Sequence, residues 1–427
     1  MSAPDPEPSA GSEPAAGSEP APGPDDGVTL GRLVVPVYVP LLAMGIGIGM
    51  LVPTLPLYLR AGGLSYGATS AVLAAAGLGS MLGALPSGSL LARLGEDRLH
   101  VIASVAMGGA AVGLGLTSLA AALAVLQVVS GAGRVAVRLS RQTLVTRLVP
   151  VGRRGRAMSV IGGSFRLALF VGPLLGGALV DVAGYRVTFL VAGLVAGAGA
   201  LPVLADAGAA PSGAVPTGGG GAEPGGGPGL LAVLRRHRRR LLLGGAGPAL
   251  VMTARQGRYV VVPLVGERLG LGPAAVGALV AAGTGADLLL FPVSGWLMDR
   301  FGRLFAIVPA FGLLAVGLVV LGLAETAAVA VVAGVLMGVG NGMSAGTLLT
   351  LSSDLAPPEA PGPFLAGMAL LQDLGSVAGP LVVGVVADAA GLGAGAFTLA
   401  GIMVAAIVWI VVVIGETARP ASATRPA

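Results

Sequence analysis

Apolar stretches of bilayer-spanning length alternate with short polar breaks along almost the whole chain. A membrane helix needs about 20 predominantly apolar residues in a row, and runs of that order predict helices near 34–59, 66–91, 100–118, 120–148, 157–181, 186–205, 241–264, 273–298, 304–323, 327–352, 363–387 and 393–415. These make six and six. The break between the sets, 207–240, begins as an Ala/Gly/Pro tract of the flexible kind and ends in Arg235, Arg236, His237, Arg238, Arg239 and Arg240. Residues 1–29 are Pro, Ala, Gly, Ser and acid, with AGSEPA written twice. Such a tract has too little apolar surface to repay ordering, so a disordered tail is expected. It has none of the layout of a signal peptide, which leaves insertion to the first helix. The expected organisation is a tail at 1–29, bundles at 30–206 and 241–416 joined by the linker, and a second tail at 417–427.

The two sets are copies. A gapless shift of 207 residues lays Pro56 on Pro263, Gly63-Leu64 on Gly270-Leu271, Gly88 on Gly295, Arg93 and Gly95 on Arg300 and Gly302, and Gly131 on Gly338. It also lays Gly172-Pro173 on Gly379-Pro380, and Asp181 and Gly184 on Asp388 and Gly391. Duplicated membrane proteins of this kind rock two related halves around a site near the bilayer midplane.

Composition agrees with a lipid environment. Charged residues are 11% of the chain, hydrophobic ones 55%, and the mean hydropathy is +0.90, far from the roughly 25% charge of a soluble domain. Without cysteine there is neither a disulfide nor a thiolate metal site, and no cofactor or metal is expected. The histidines, His100 and His237, are read as loop residues. The net charge of +5 is spread over short loops, which fits anionic lipid headgroups rather than nucleic acid. With the N-terminus inside, the inner loops and tails hold Arg32, Arg93, Arg98, Arg153, Arg154, Arg156, the five linker arginines, Arg300, Arg303, Arg419 and Arg425, against Arg60, Arg186 and Arg268 outside. Positive-inside bias then puts both termini in the cytoplasm, with the plasma membrane as the expected location and a monomer as the expected state.

Two local motifs sharpen the reading. Gly295-Trp-Leu-Met-Asp299-Arg300-Phe-Gly302-Arg303 closes the eighth helix and resembles the loop signature of the major facilitator superfamily. The resemblance extends over about 30–415 and implies a secondary transporter with six-helix halves. The first-half copy keeps Gly88, Arg93 and Gly95, but Ala92 replaces its acid and Glu96-Asp97-Arg98 blurs its basic end. Asp299 is expected to face the start of helix five near Arg156-Ala157, with Arg300 or Arg303 reaching Asp354, as a cytoplasmic gate. Gly172-Pro173-Leu-Leu-Gly176-Gly177 in helix five resembles the motif of proton-coupled antiporters, chiefly drug exporters, although Ala168 stands at its first glycine. Proline bends the helix and glycines allow close packing.

Charges in lipid-length helices carry the chemistry, since each costs about 2.5 to 3.5 kcal/mol on insertion scales unless it meets water or a partner. They are Arg134, Arg138, Arg141, Arg166, Arg255, Arg258, Asp287 and Asp373. Arg134, Arg138 and Arg141 share one helical face, and the resemblance puts helices four and seven on a central cavity. Two readings stand: Arg134, Arg138, Arg255 and Arg258 converge on an anionic group of a substrate, or the arginines satisfy carbonyls, pair with the aspartates or snorkel. Arg141 fits snorkelling best. Arg166 and Asp287 lie at matching depth on helices five and eight and are expected to pair. Asp287 and Asp373 are the candidate proton carriers, since a carboxylate that exchanges an arginine for water between two states can load and release a proton. The function expected is secondary transport of a small molecule by alternating access, as a proton antiporter for amphiphilic or anionic compounds. An uptake symporter for an organic anion or nutrient, or a non-transporting receptor or scaffold, are the alternatives. No enzyme motif is present.

Overall fold

The computed structural model describes residues 30–206 and 230–417; the tail at 1–29, the Ala/Gly/Pro part of the linker and residues 418–427 of the second tail lie outside them. Among the described residues there are helices and no strands. In order they are α1 (Val39–Ala61), α2 (Tyr66–Leu114), α3 (Ala120–Leu148), α4 (Val151–Ala198), α5 (Leu201–Asp206), α6 (Leu230–Arg236) and α7 (Arg238–Arg268). The second half continues with α8 (Pro273–Phe301), α9 (Arg303–Gly322), α10 (Ala327–Met343), α11 (Thr347–Asp354), α12 (Pro361–Ala390) and α13 (Leu392–Trp409).

Among the described residues these helices make twelve membrane crossings. α2 supplies the second and third, on either side of Gly95, and α4 the fifth and sixth, on either side of Gly184. Helix α7 is the seventh crossing, α10 with α11 the tenth, and α12 the eleventh. At Gly95 (φ 77°, ψ 169°) and Gly184 (φ 79°, ψ 172°) the chain turns back within one residue, and their repeat partners Gly302 (φ 94°, ψ 171°) and Gly391 (φ 86°, ψ 165°) do the same. That backbone region is open essentially to glycine alone. Duplication is therefore visible in the backbone, not only in the letters.

Two sequence expectations are corrected here. His100 is buried rather than in a loop, because the third crossing starts directly after Gly95; its Nε2 lies 3.0 Å from the Gly199 carbonyl oxygen. Arg141 does not snorkel. It is fully buried and donates to the Pro36 and Glu96 carbonyls, both at 3.0 Å, and to Asp97 Oδ1 at 2.8 Å.

The halves meet along two seams, the fifth crossing against the eighth and the second against the eleventh. Glycine makes them tight. A Cβ on Gly177 would strike the Pro273 carbonyl, and one on its repeat partner Gly384 would strike Ser70. Gly277, the repeat partner of Ser70, likewise abuts the Pro173 carbonyl.

Candidate functional site

Between the halves lies a cavity of about 340 Å³, bordered by the first, second, fourth and fifth crossings on one side and the seventh and eleventh on the other. Its lining residues fall near the middle of their helices, so it sits at mid-depth. One wall is apolar, from Ile48, Leu51, Val52 and Leu55 of α1 and Phe165 and Leu169 of α4. Elsewhere the lining mixes apolar residues such as Leu73, Val135, Met252 and Val260 with polar ones: Ser80, Gln127, Ser130, Arg134 and Arg138 from the first half, and Gln256, Tyr259, Asp373 and Ser376 from the second.

Arg134, Arg138 and Asp373 share this cavity, and among the described residues none of the three makes a hydrogen bond or ion pair. Arg134 Nε is buried as well as unpartnered. Arg255 and Arg258 point elsewhere. Arg255 donates to the Ser344 hydroxyl and lies 5.3 Å from the Phe311 ring centroid, while Arg258 donates to Tyr259 Oη at 3.0 Å and to the Met337 carbonyl at 3.4 Å. The tenth crossing is broken between Met343 and Thr347, with Gly346 left-handed (φ 79°). Arg255 therefore sits at the carbonyl end of α10, where a cation is favoured.

Arg166 Nε lies 3.3 Å from Asp287 Oδ1, across the seam between the halves. Asn341 donates to the other carboxylate oxygen at 2.9 Å, and Arg166 lies over the Phe291 ring at 4.9 Å. Asp287 is thus engaged on both oxygens and does not line the cavity, in contrast to Asp373.

The face carrying Gly95 and Gly302 shows what became of the two loop motifs. Arg303 pairs with Asp354 at 3.3 Å, and at the repeat-related place Glu96 pairs with Arg147. The same bridge is made in both halves with its signs exchanged, which accounts for the altered basic end of the first copy but not for Ala92. Arg300 lies 5.7 Å from the Phe301 ring centroid. Asp299 is exposed and has no hydrogen-bond or ion-pair partner among the described residues, and nothing lies within 4 Å of a Cβ built on Gly295. Glu416 accepts from the Arg303 and Leu304 amides at 3.0 and 2.9 Å, capping α9.

The opposite face is latched. Asp388 Oδ2 accepts from Ser65 Oγ and the Gly67 amide, both at 2.9 Å, at the start of the second crossing. Its repeat partner Asp181 accepts from the Ala274 amide at 3.2 Å at the start of the eighth. Arg60 and Glu267 close the set at 3.6 Å. None of these was assigned a role from sequence, although the shift that aligns Asp181 with Asp388 also aligns Gly67 with Ala274 and Arg60 with Glu267.

The motif Gly172-Pro173-Leu-Leu-Gly176-Gly177 packs on two partners. Gly172 and Gly176 lie against Gly49 and Met50 of α1, where added Cβ atoms would collide with backbone, and Gly177 lies on the seam.

Comparison with known proteins places this architecture. The family model described as Major Facilitator Superfamily matches residues 41–380 and 244–427. An uncharacterised MFS-type transporter of Mycobacterium tuberculosis, Rv1250, is 41% identical over 109 residues, which is 25% of this chain and 18% of the relative. A second, Rv1877, is 31% identical over 134 residues, 30% of this chain and 20% of the relative. The chain thus matches about a fifth of the length of these relatives. Among solved structures it is similar to a bacterial homologue of the human lysosomal transporter Spinster in an inward-facing, unoccupied conformation, with TM-score 0.68, 17% identity and coverage of 93% and 96% of the two chains. It is also similar to the nucleoside transporter NupG, with TM-score 0.71, 11% identity and coverage of 89% and 98%. The human organic anion transporter MFSD10 matches with TM-score 0.63, 19% identity and coverage of 90% and 100%. At these identities the structures speak for the fold alone. With twelve helices in two repeated bundles and a family model matched over most of its length, the chain belongs to the Major Facilitator Superfamily.

Proposed function

We propose that this protein is a proton-coupled secondary antiporter that exports amphiphilic or acidic small molecules through the central cavity. It acts as a monomer in the plasma membrane with both termini in the cytoplasm. The observation that carries the reading is the mid-depth cavity, built from both halves, in which two arginines and one aspartate stand without protein partners. Ionic groups at such a depth are expensive unless water or a ligand meets them.

With the arginine-rich face inside, the latches at Asp181, Asp388 and Arg60–Glu267 shut the outer side, and this conformation is the inward-facing one. The unpartnered Asp299 fits that assignment, because the start of the fifth crossing would meet it only when the inner side closes. Asp373 is the group that changes protonation, and Arg138 faces it from the other half. Asp287, held by Arg166 and Asn341, keeps the seam together. Gly172, Pro173, Gly176 and Gly177 give the fifth crossing close contact with both the first and the eighth.

The test is transport by the full chain in proteoliposomes under an imposed pH gradient. Asp373→Asn should lose gradient-driven accumulation and keep downhill exchange. Full accumulation in that variant would remove proton antiport. The two cavity arginines also favour a second reading, uptake of an organic anion together with a proton. Substrate moving in the same direction as the proton would establish it instead.

A further inference from the structure

The charges in the cavity are divided by half. Arg134 and Arg138 lie one turn apart on the fourth crossing, so their guanidinium groups flank a single place on the first half's wall. Asp373, on the eleventh crossing, is the one acidic residue lining the cavity among the described residues and belongs to the second half. Arg138 and Asp373 line the same cavity from opposite halves and form no ion pair with each other. Apolar residues of the first and fifth crossings border the same space, among them Leu51, Val52 and Phe165.

A simple anion would satisfy the arginines and leave the Asp373 carboxylate facing a second negative charge. A simple cation would satisfy Asp373 and leave two guanidinium groups beside a third positive charge. A molecule carrying both charges meets all three residues. We propose that the cavity is built for amphoteric amphiphiles: an acidic group between Arg134 and Arg138, a basic nitrogen on Asp373, and an apolar body along the first and fifth crossings. This rests on the reading of the cavity as the transport site. It also supplies what antiport requires, since an ammonium group and a proton compete for Asp373, whereas a bound anion alone would favour protonation there and give co-transport.

The experiment measures binding of four probes to the purified full-length protein: an α-amino fatty acid, its ω-amino isomer, the methyl ester and the N-acetyl derivative of whichever isomer binds. The free amphoteric compound should bind at least about tenfold more tightly than either blocked form, because each blocked form leaves a cavity charge unpaired at a cost of about 1.4 kcal/mol or more. Arg138→Gln should reduce the penalty for blocking the acid, Arg134 still being present, and keep that for blocking the amine, whereas Asp373→Asn should remove the penalty for blocking the amine and keep that for blocking the acid. Ser376→Trp, which fills the cavity, should abolish binding of all forms, with thermal unfolding confirming that each variant folds. Equal binding of free and blocked forms, lost in Ser376→Trp, would overturn the amphoteric class and keep the cavity as the site. Binding that survives Ser376→Trp would overturn the cavity reading itself. Failure of both free isomers to bind would reject the class outright.

Discussion

Arg60 and Glu267 occupy the same position in the two repeats and meet each other, 3.6 Å apart. Repeat partners can touch only near the axis that relates the halves, so this ion pair marks the pseudo-twofold axis at the latched face. Both side chains are partly exposed, at 24% and 34%, and such a pair contributes about 0.2 to 1 kcal/mol. Glu267→Arg would set two guanidinium groups on the axis and should open this face, raising the labelling rate of a cysteine placed at Leu55 several-fold. Arg60→Glu combined with Glu267→Arg should restore the original rate. No change in the single variant would show that Asp181 and Asp388 hold the face unaided.

The Arg166–Asp287 bridge is a different case, being largely withdrawn from solvent and spanning the seam. Removing one partner of a buried pair costs about 3 to 5 kcal/mol, because the other is left uncompensated. Arg166→Ala should therefore lower thermal stability and impair transport together. Arg166→Asp with Asp287→Arg should recover part of both, and a double-mutant cycle showing no coupling would contradict the assignment.

Arg138 and Arg255 should separate cleanly. Arg138→Gln should weaken binding of acidic compounds more than neutral ones with little change in unfolding temperature, since no described contact depends on it. Arg255 supports the broken tenth crossing through Ser344, so Arg255→Gln should destabilise the protein and weaken both classes alike. The converse pattern would put the substrate on the other side of the seventh crossing.

Asp299 is expected to act in the conformation not seen here. A carboxylate near a helix N-terminus contributes roughly 0.3 to 1 kcal/mol when exposed, so Asp299→Asn should shift the population about two- to fivefold toward the state with the latched face shut and slow turnover. Cysteine accessibility from the arginine-rich face reads this out. An unchanged rate would assign the motif to folding or topology.

Most of the architecture was legible because lipid imposes one solution, the apolar helix of about 20 residues, and because the repeat doubled every signal. The break at Ser344–Gly346 was missed although Asn341, Gly342, Ser344 and Gly346 cluster there, since apolar length alone does not register an interruption. The site was less legible for a geometric reason. Along α7 two i, i+3 pairs interleave, Arg255 with Arg258 and Gln256 with Tyr259, and one residue turns a helix by about 100°. Charge pointed to the arginines, and the structure turns the neutral pair to the cavity. Depth along a helix can be counted from its ends, which is how Arg166 and Asp287 were matched, whereas rotation about its axis depends on neighbours the pattern does not name.

The four single-glycine reversals at Gly95, Gly184, Gly302 and Gly391 constrain how such a molecule can move. Each joins two membrane helices with no slack, in a backbone conformation that other residues resist. Crossings two and three, five and six, eight and nine, and eleven and twelve are therefore hairpins whose elbows have no spare length to flex. Alternation of access is left to sliding between hairpins along the glycine seams. Spin labels placed on the two arms of one hairpin should keep a fixed separation throughout the cycle, while labels across a seam change theirs.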